Sequence, residues 1–147
     1  MAHPGRIVAL DFGTRKIGVA ISDALQITAA PLKTIRYRSR ETLFEELRSL
    51  IRDREVIEVV VGVPYTMRGG ESHTTREVKE FITWLAENLD IPVQTIDERL
   101  SSQQAKQTLQ EMGVRTGHEK DRVDAMAASH LLRLYLDSRG DVGGDRR

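Results

Sequence analysis

A chain of 147 residues suits one domain of ordinary size, and 39% hydrophobic against 30% charged residues is the composition of a globular domain in water. The lack of cysteine excludes disulfides, thiolate metal sites and cysteine nucleophiles, and points to a reducing, cytoplasmic setting. The 22 basic and 22 acidic residues cancel, which argues against a broadly basic nucleic-acid coat but leaves room for a local basic groove; no apolar run approaches the ~18 residues of a membrane span, and "MAHPGR" has no apolar signal core.

Residues 6–10 form a short apolar run without helical periodicity and predict a strand. That strand ends on Asp11, and a carboxylate among apolar neighbours has to be solvated, paired or bound to a metal. Residues 13–16 are turn material, with Gly13 a candidate for a positive φ. Residues 17–22 alternate and predict a second strand, antiparallel to the first. A third strand is predicted over 28–35, with Pro31 consigning it to an edge or a bulge.

The period then lengthens. Behind Ser39 as N-cap, Leu43, Phe44, Leu47, Leu50 and Ile51 share one helical face. "VIEVVVGVP", residues 56–64, reads as a central strand covered on both faces. The loop "YTMRGGESH" follows, and Thr74 with Glu77 fits a capping box for a helix whose stripe is Val78, Phe81, Ile82, Leu85 and Leu89. Residues 91–98 predict a strand that ends in acids. Ser101 with Gln104 opens a further helix, with Ala105, Leu109 and Met112 inward. A glycine-bearing loop covers 113–120, and the last helix covers 121–136. The order β-β-β-α-β-α-β-α-α, with no repeat and no linker, predicts one α/β domain over 1–136: a mixed five-stranded sheet led by an antiparallel hairpin, with helices on both faces. Residues 137–147 are expected to be a flexible tail.

Two strands end in acids, at Asp11 and at Asp97–Glu98. Ligands in such sheets bind beyond the carboxyl ends of strands, so neighbouring strands would bring these acids together. A third acid, Asp124, borders the predicted packing stripe of the last helix, formed by Val123, Met126, Ala127, Leu131 and Leu134. Ala125, Ala127 and Ala128 let that helix approach the sheet closely. Three carboxylates at close range stay ionised together only when cations compensate. Hard divalent ions prefer such oxygens, and two of them roughly 4 Å apart can clamp an in-line phosphoryl displacement. Each acid also has a plainer role open to it: Asp11 as a turn cap, Asp97 and Glu98 as partners of Arg99, Asp121 and Asp124 at the positive end of a helix dipole.

"ALDFGTRKIGVAISD", "GVPYTMRGG", "DERLSS" and "KDRVDAMAASHLL" occur in the order and spacing of the YqgF/RuvX family, and the chain resembles that family from Arg6 to about Leu136. These are bacterial RNase H-like proteins, described as Holliday junction resolvases and as pre-16S ribosomal RNA nucleases. The resemblance implies an RNase H-like fold, with Asp11, Glu98 (rather than Asp97) and Asp124 as metal-binding catalytic acids. It further implies hydrolysis of a nucleic-acid phosphodiester dependent on Mg²⁺ or Mn²⁺. One loop departs from the family: where "GLPLNMDG" is usual, this chain has "GVPYTMRGG", with Thr66 for Asn and Arg68 for Asp, which puts the loop's substrate contacts in question.

Candidate phosphate contacts are Arg15 and Lys16 in the first hairpin, Arg68 beside Gly69 and Gly70, and Arg115, Lys120 and Arg122 ahead of Asp124. His118 is a candidate for proton transfer. Tyr65 is the one aromatic in the variable loop, placed either to stack on a base or to pack. The expected partners are pre-ribosomal RNA or branched DNA, and ribosomal precursor particles, met by a monomer or weak dimer without a membrane. Ribosomal RNA maturation is preferred through the resemblance. An actin-like ATPase reading of strand-Asp-x-Gly-Thr needs a second copy of the unit, which the chain lacks. A protein-kinase reading of "DFG" lacks every companion motif. A non-catalytic scaffold has no need of mutually repelling acids.

Overall fold

The computed structural model describes residues 5–13, 15–100 and 118–145. Five strands lie in the order β3-β2-β1-β4-β5. β1 (Arg6–Phe12), β2 (Lys16–Ser22) and β3 (Ala29–Arg36) form an antiparallel meander. β4 (Val56–Val63) and β5 (Val93–Asp97) add in parallel on the other side of β1, each reached through a helix. This is the mixed sheet with an antiparallel hairpin that the alternation predicts. Pro31 sits on edge strand β3, at a register shift opposite Ala20.

The two faces carry different helices. Val8, Leu10, Val59 and Val61 point into a core built with α1 (Arg40–Arg54) and α2 (His73–Asn88). Ile7, Ala9, Ala20 and Val60 point the other way, against α3 (His118–Asp145). Alanines on both the sheet and the helix keep this second layer thin. Strand side chains alternate with period two, so Asp11 falls on the α3 face with Ile7 and Ala9.

Local chemistry fixes the helix starts. Ser39 Oγ accepts a hydrogen bond from the Thr42 N–H at 3.1 Å, as expected. The box of α2 is not Thr74–Glu77 but Ser72–Thr75: each hydroxyl accepts from the other's N–H at 3.1 Å. Thr75 decides this, because its hydroxyl also donates to the Pro64 carbonyl and pins the helix start to the end of β4. Glu77 pairs instead with His73, one turn back.

α3 departs furthest from expectation. It begins at His118, inside the predicted loop, and runs to Asp145, through most of the segment expected to be a flexible tail. The extension has a visible anchor: Arg139 reaches Glu58 Oε1 at 3.2 Å and lies over the Tyr135 ring, whose hydroxyl donates to Glu58 Oε2. Ala125, Ala128, Leu131, Leu132 and Leu136 are buried; of the predicted stripe Leu131 belongs to this centre, while Met126, Ala127 and Leu134 lie at its margin, half-buried. The helix predicted to open at Ser101, and the loop positions before 118, lie outside the described residues.

Candidate active site

β1 emerges from the core at Asp11, and its neighbours on both sides are glycines. Asp11 pairs with Gly18 of β2. One step beyond the Leu10–Val61 pair of the parallel ladder, Gly62 of β4 falls on its other flank. Thr34 pairs with Gly18 and Ile96 with Gly62, so one row of the sheet runs Thr34, Gly18, Asp11, Gly62, Ile96. Neighbouring strands lie about 4.8 Å apart, so the two glycines stand roughly 10 Å apart with Asp11 midway.

Each glycine makes room for an acid-bearing segment. A Cβ built on Gly18 would lie 2.0 Å from the Asp124 carbonyl oxygen and 3.1 Å from the Ala125 nitrogen. α3 is therefore seated on the bare backbone of Gly18 at Asp124. A Cβ on Gly62 would lie 3.2 Å from Glu98 Oε2 and 2.7 Å from a Leu131 methyl. Glu98 follows β5 in a 3₁₀ turn (Glu98–Leu100) and sends its carboxylate over Gly62. Its Oε2 is buried with no hydrogen-bond partner among the described residues. A buried carboxylate oxygen is costly unless a cation or donor meets it.

Asp97 behaves differently. It pairs with Val63, on the α1–α2 side of the sheet, and accepts from the Arg99 N–H at 3.0 Å and from its guanidinium. These bonds from Arg99 hold the Asp97 carboxyl below its ordinary range. The same guanidinium reaches the Thr66 and Met67 carbonyls at 3.4 Å, tying the loop after β4 to the end of β5. Within that loop Gly69 takes φ +88° and Gly70 N–H donates to Thr66 Oγ1 at 2.9 Å. Tyr65 packs against the larger core, with Lys79 and Arg99 over its ring, which favours packing over base stacking.

The remaining predicted positions separate. Arg15 is exposed in the β1–β2 turn, Lys16 opens β2, and Arg68 is exposed in the loop after β4. Lys120 and Arg122 lie on the first turns of α3, as does His118, while Arg115 lies outside the described residues. Gly13 closes its turn by donating to the Lys16 carbonyl at 2.8 Å. Its φ is not positive; a Cβ there would crowd that carbonyl at 3.0 Å, so small size is what the turn uses.

Sequence reasoning missed Gly18 and Gly62. The signal was present, since a glycine inside an otherwise apolar strand marks close approach of another segment. Among the described residues no three acidic or histidine side chains already stand at ion-gripping spacing. The donor set nonetheless fits a hard divalent ion: an orphaned buried carboxylate oxygen, hard oxygen ligands, and two glycine cradles around Asp11.

A mixed five-stranded sheet with an antiparallel hairpin and helices on both faces is the RNase H-like fold of RuvC-type proteins. RuvC of Thermus thermophilus in complex with Holliday junction substrate superposes with TM-score 0.55 at 15% identity, over 92% of this chain and 95% of that one. The fowlpox virus resolvase with its junction DNA gives TM-score 0.54 at 14% identity, over 90% and 97%. These likenesses define the fold. The sequence profile described as "RuvX: Holliday junction resolvase" matches residues 5–138. A protein of Koribacter versatilis is 40% identical over 92% of this chain and 89% of its own length. One of Chloroflexus aurantiacus is 44% identical over 90% and 87%. Both are named "Putative pre-16S rRNA nuclease". The chain belongs to the RuvX family, and as a member of a nuclease family it is a hydrolase acting on nucleic acid.

Proposed function

We propose that the chain is a cytoplasmic, metal-dependent nuclease that trims the 5′ end of pre-16S rRNA. Asp11, Glu98 and Asp124 are its catalytic acids, and together they would hold Mg²⁺ or Mn²⁺. The observation that carries this reading is the buried, unpartnered Glu98 oxygen over Gly62, on the flank of Asp11 opposite the glycine that seats Asp124. Bound there, the ions would supply an activated water and neutralise charge on the leaving oxygen.

The chain's own work is positioning. Asp11 rides on a strand whose preceding residues Ile7 to Leu10 are fully buried. Glu98 leaves a turn fixed by the Asp97–Arg99 pair. Asp124 is carried by a long helix that meets the bare backbone of Gly18. Rigid elements of this kind hold a constellation to the tolerance that catalysis demands. Arg15, Lys16, Arg68, Arg115, Lys120 and Arg122 are the proposed contacts to flanking phosphates. The pre-16S substrate follows the names of the curated relatives. Acting as a monomer or weak dimer, the enzyme would meet its RNA on ribosomal precursor particles.

A second reading, resolution of branched DNA, draws on the family description and the junction-bound neighbours. End-labelled pre-16S leader RNA and a synthetic four-way DNA junction, each with Mg²⁺, Mn²⁺ or EDTA, separate the two. Metal-dependent cutting of the leader, lost in Asp124→Asn, is the expected outcome. Paired symmetric nicks in the junction instead would favour the second reading. Cutting that survives Asp124→Asn on both substrates would reject the site.

A further inference from the structure

Charge in this neutral chain is segregated. From residue 12 to residue 40 there are six cations and one acid, Asp23. Asp23 sits at the far end of the hairpin, where its carboxylate accepts from the Ile27 and Thr28 N–H groups at 2.7 and 2.8 Å. Four of the cations, Arg15, Lys16, Arg36 and Arg38, gather at the other end, beside the candidate acids. Lys16 and Arg36 are cross-strand partners on β2 and β3. Each lies two residues from a member of the Asp11 row, Gly18 and Thr34, so by strand alternation both point to the α3 face, about 7 Å from that row. The Tyr37 N–H donates to the Arg15 carbonyl at 2.8 Å, which binds the end of β3 to the β1–β2 turn and brings Arg38 alongside.

The three arginines of this group are not consumed by ion pairs within the fold. Arg15, Arg36 and Arg38 are exposed, and among the described residues none of the three forms an ion pair. Elsewhere the described cations are often engaged: Lys33 with Glu46, Lys79 with Glu71, Arg99 with Asp97, Arg139 with Glu58. Arg40 lies over the Trp84 ring and belongs to the helix layer. An exposed file of unpaired guanidinium groups, leading over a sheet edge towards three acids, matches a polyanionic strand and little else.

We infer that the nucleic-acid strand enters the site across the β2–β3 edge, its phosphates held by Lys16, Arg36 and Arg38, with Arg15 at the turn. The inference rests on the nuclease reading but adds a path, and Arg36 and Arg38 as residues that hold it. Such contacts set the register of the strand without reading its sequence.

The test is binding without catalysis. Fluorescein-labelled single-stranded RNA, single-stranded DNA and a four-way junction are titrated in EDTA by anisotropy, across a series of salt concentrations. Each lost phosphate contact lowers the slope of log affinity against log salt by about 0.7 for a single strand. Arg36→Ala/Arg38→Ala should therefore lower it by about 1.4, shrinking the affinity lost between about 50 and 200 mM salt roughly sevenfold. Arg36→Lys/Arg38→Lys should keep most of the parental slope. Arg52→Ala, at the far end of α1, should keep all of it. Circular dichroism establishes that the variants are folded. The preferred probe distinguishes RNA from DNA as the strand's source, and the slope change on that probe supports the path in either case. A parental slope in the double alanine variant overturns the path, as does an equal change in Arg52→Ala. The nuclease reading is judged apart, by metal-dependent cutting lost in Asp124→Asn.

Discussion

Gly18→Ala probes the seat of the helix that carries Asp124 with a single methyl group. The new Cβ would lie 2.0 Å from the Asp124 carbonyl oxygen, about 1.4 Å inside ordinary contact at 3.4 Å, and 2.5 Å from the carbonyl carbon. All three nearest atoms belong to the backbone of α3, so no side chain can rotate away. The helix has to lift, and Asp124 rises with it. Overpacking costs about 1–3 kcal/mol, and with backbone as the obstacle the upper end applies. For a domain of this size about 3 kcal/mol lowers Tm by roughly 6–12 °C. Displacement of a positioned group by about 1 Å can cost roughly a hundredfold in rate. Thermal unfolding and cutting of leader RNA in Mg²⁺ measure the two effects on one preparation. Gly62→Ala is the graded companion: its obstacles are a Leu131 methyl at 2.7 Å, which can turn aside, and the Glu98 carboxylate at 3.2 Å. It should cost about 1 kcal/mol in stability and yet impair cutting strongly. A Gly18→Ala protein with parental Tm and parental cutting would refute the helix seat.

Other consequences can be measured directly. Divalent metal at about 100 times its Kd should stabilise the protein by about 2.7 kcal/mol, a rise of roughly 5–11 °C in Tm. The rise should vanish in Asp11→Asn and in Asp124→Asn; its persistence in both would place the ion elsewhere. Burial, and then the bond to Glu58, push the Tyr135 hydroxyl above its ordinary value. Its contribution to stability is whole below pH ~10 and is lost as pH rises through the raised folded value. Urea unfolding should therefore show a steeper alkaline loss in the parent than in Tyr135→Phe, and equal slopes would count against the buried phenol. Arg99→Ala removes the bonds to Asp97 and to two loop carbonyls, so trypsin should cut after Arg68 faster than in the parent. An unchanged rate would mean that the loop is held by other contacts.

The order of strands and helices was legible because each element's apolar period matches the layer it meets. Val8 and Leu10 face one helix pair, and Ile7 and Ala9 face the last helix. What was not legible depends on contacts distant in sequence. The capping box moves to Ser72–Thr75 because Thr75 finds the Pro64 carbonyl, 11 residues away. α3 continues past Leu136 where Arg139 meets Glu58, 81 residues away. No local propensity of a stretch with three glycines would have extended it. Asp11 and Glu98 stand out in the sequence as acids at strand ends, and Asp124 as an acid beside the apolar stripe of the last helix. Their glycine flanks required knowing that β1 lies between β2 and β4.

Strand alternation, once the register is known, separates the two adjacent acids of "DERL" without help from any relative. Ile96 pairs with Gly62 on the α3 face, and Asp97 pairs with Val63 on the opposite face. The next residue returns to the α3 face, where the Glu98 carboxylate meets Gly62. Asp97 is thereby committed to the loop side, where Arg99 neutralises it, and Glu98 reaches the Asp11 row unpartnered. Opposite fates follow for matched substitutions. Glu98→Gln should abolish both the metal-dependent rise in Tm and the cutting, because it removes a ligand charge. Asp97→Asn should keep the rise, because its carboxylate faces away from the ion, while loosening the loop as Arg99→Ala does. Loss of the metal-dependent rise in Asp97→Asn, with Glu98→Gln unaffected, would exchange the roles of the two acids and overturn the alternation argument.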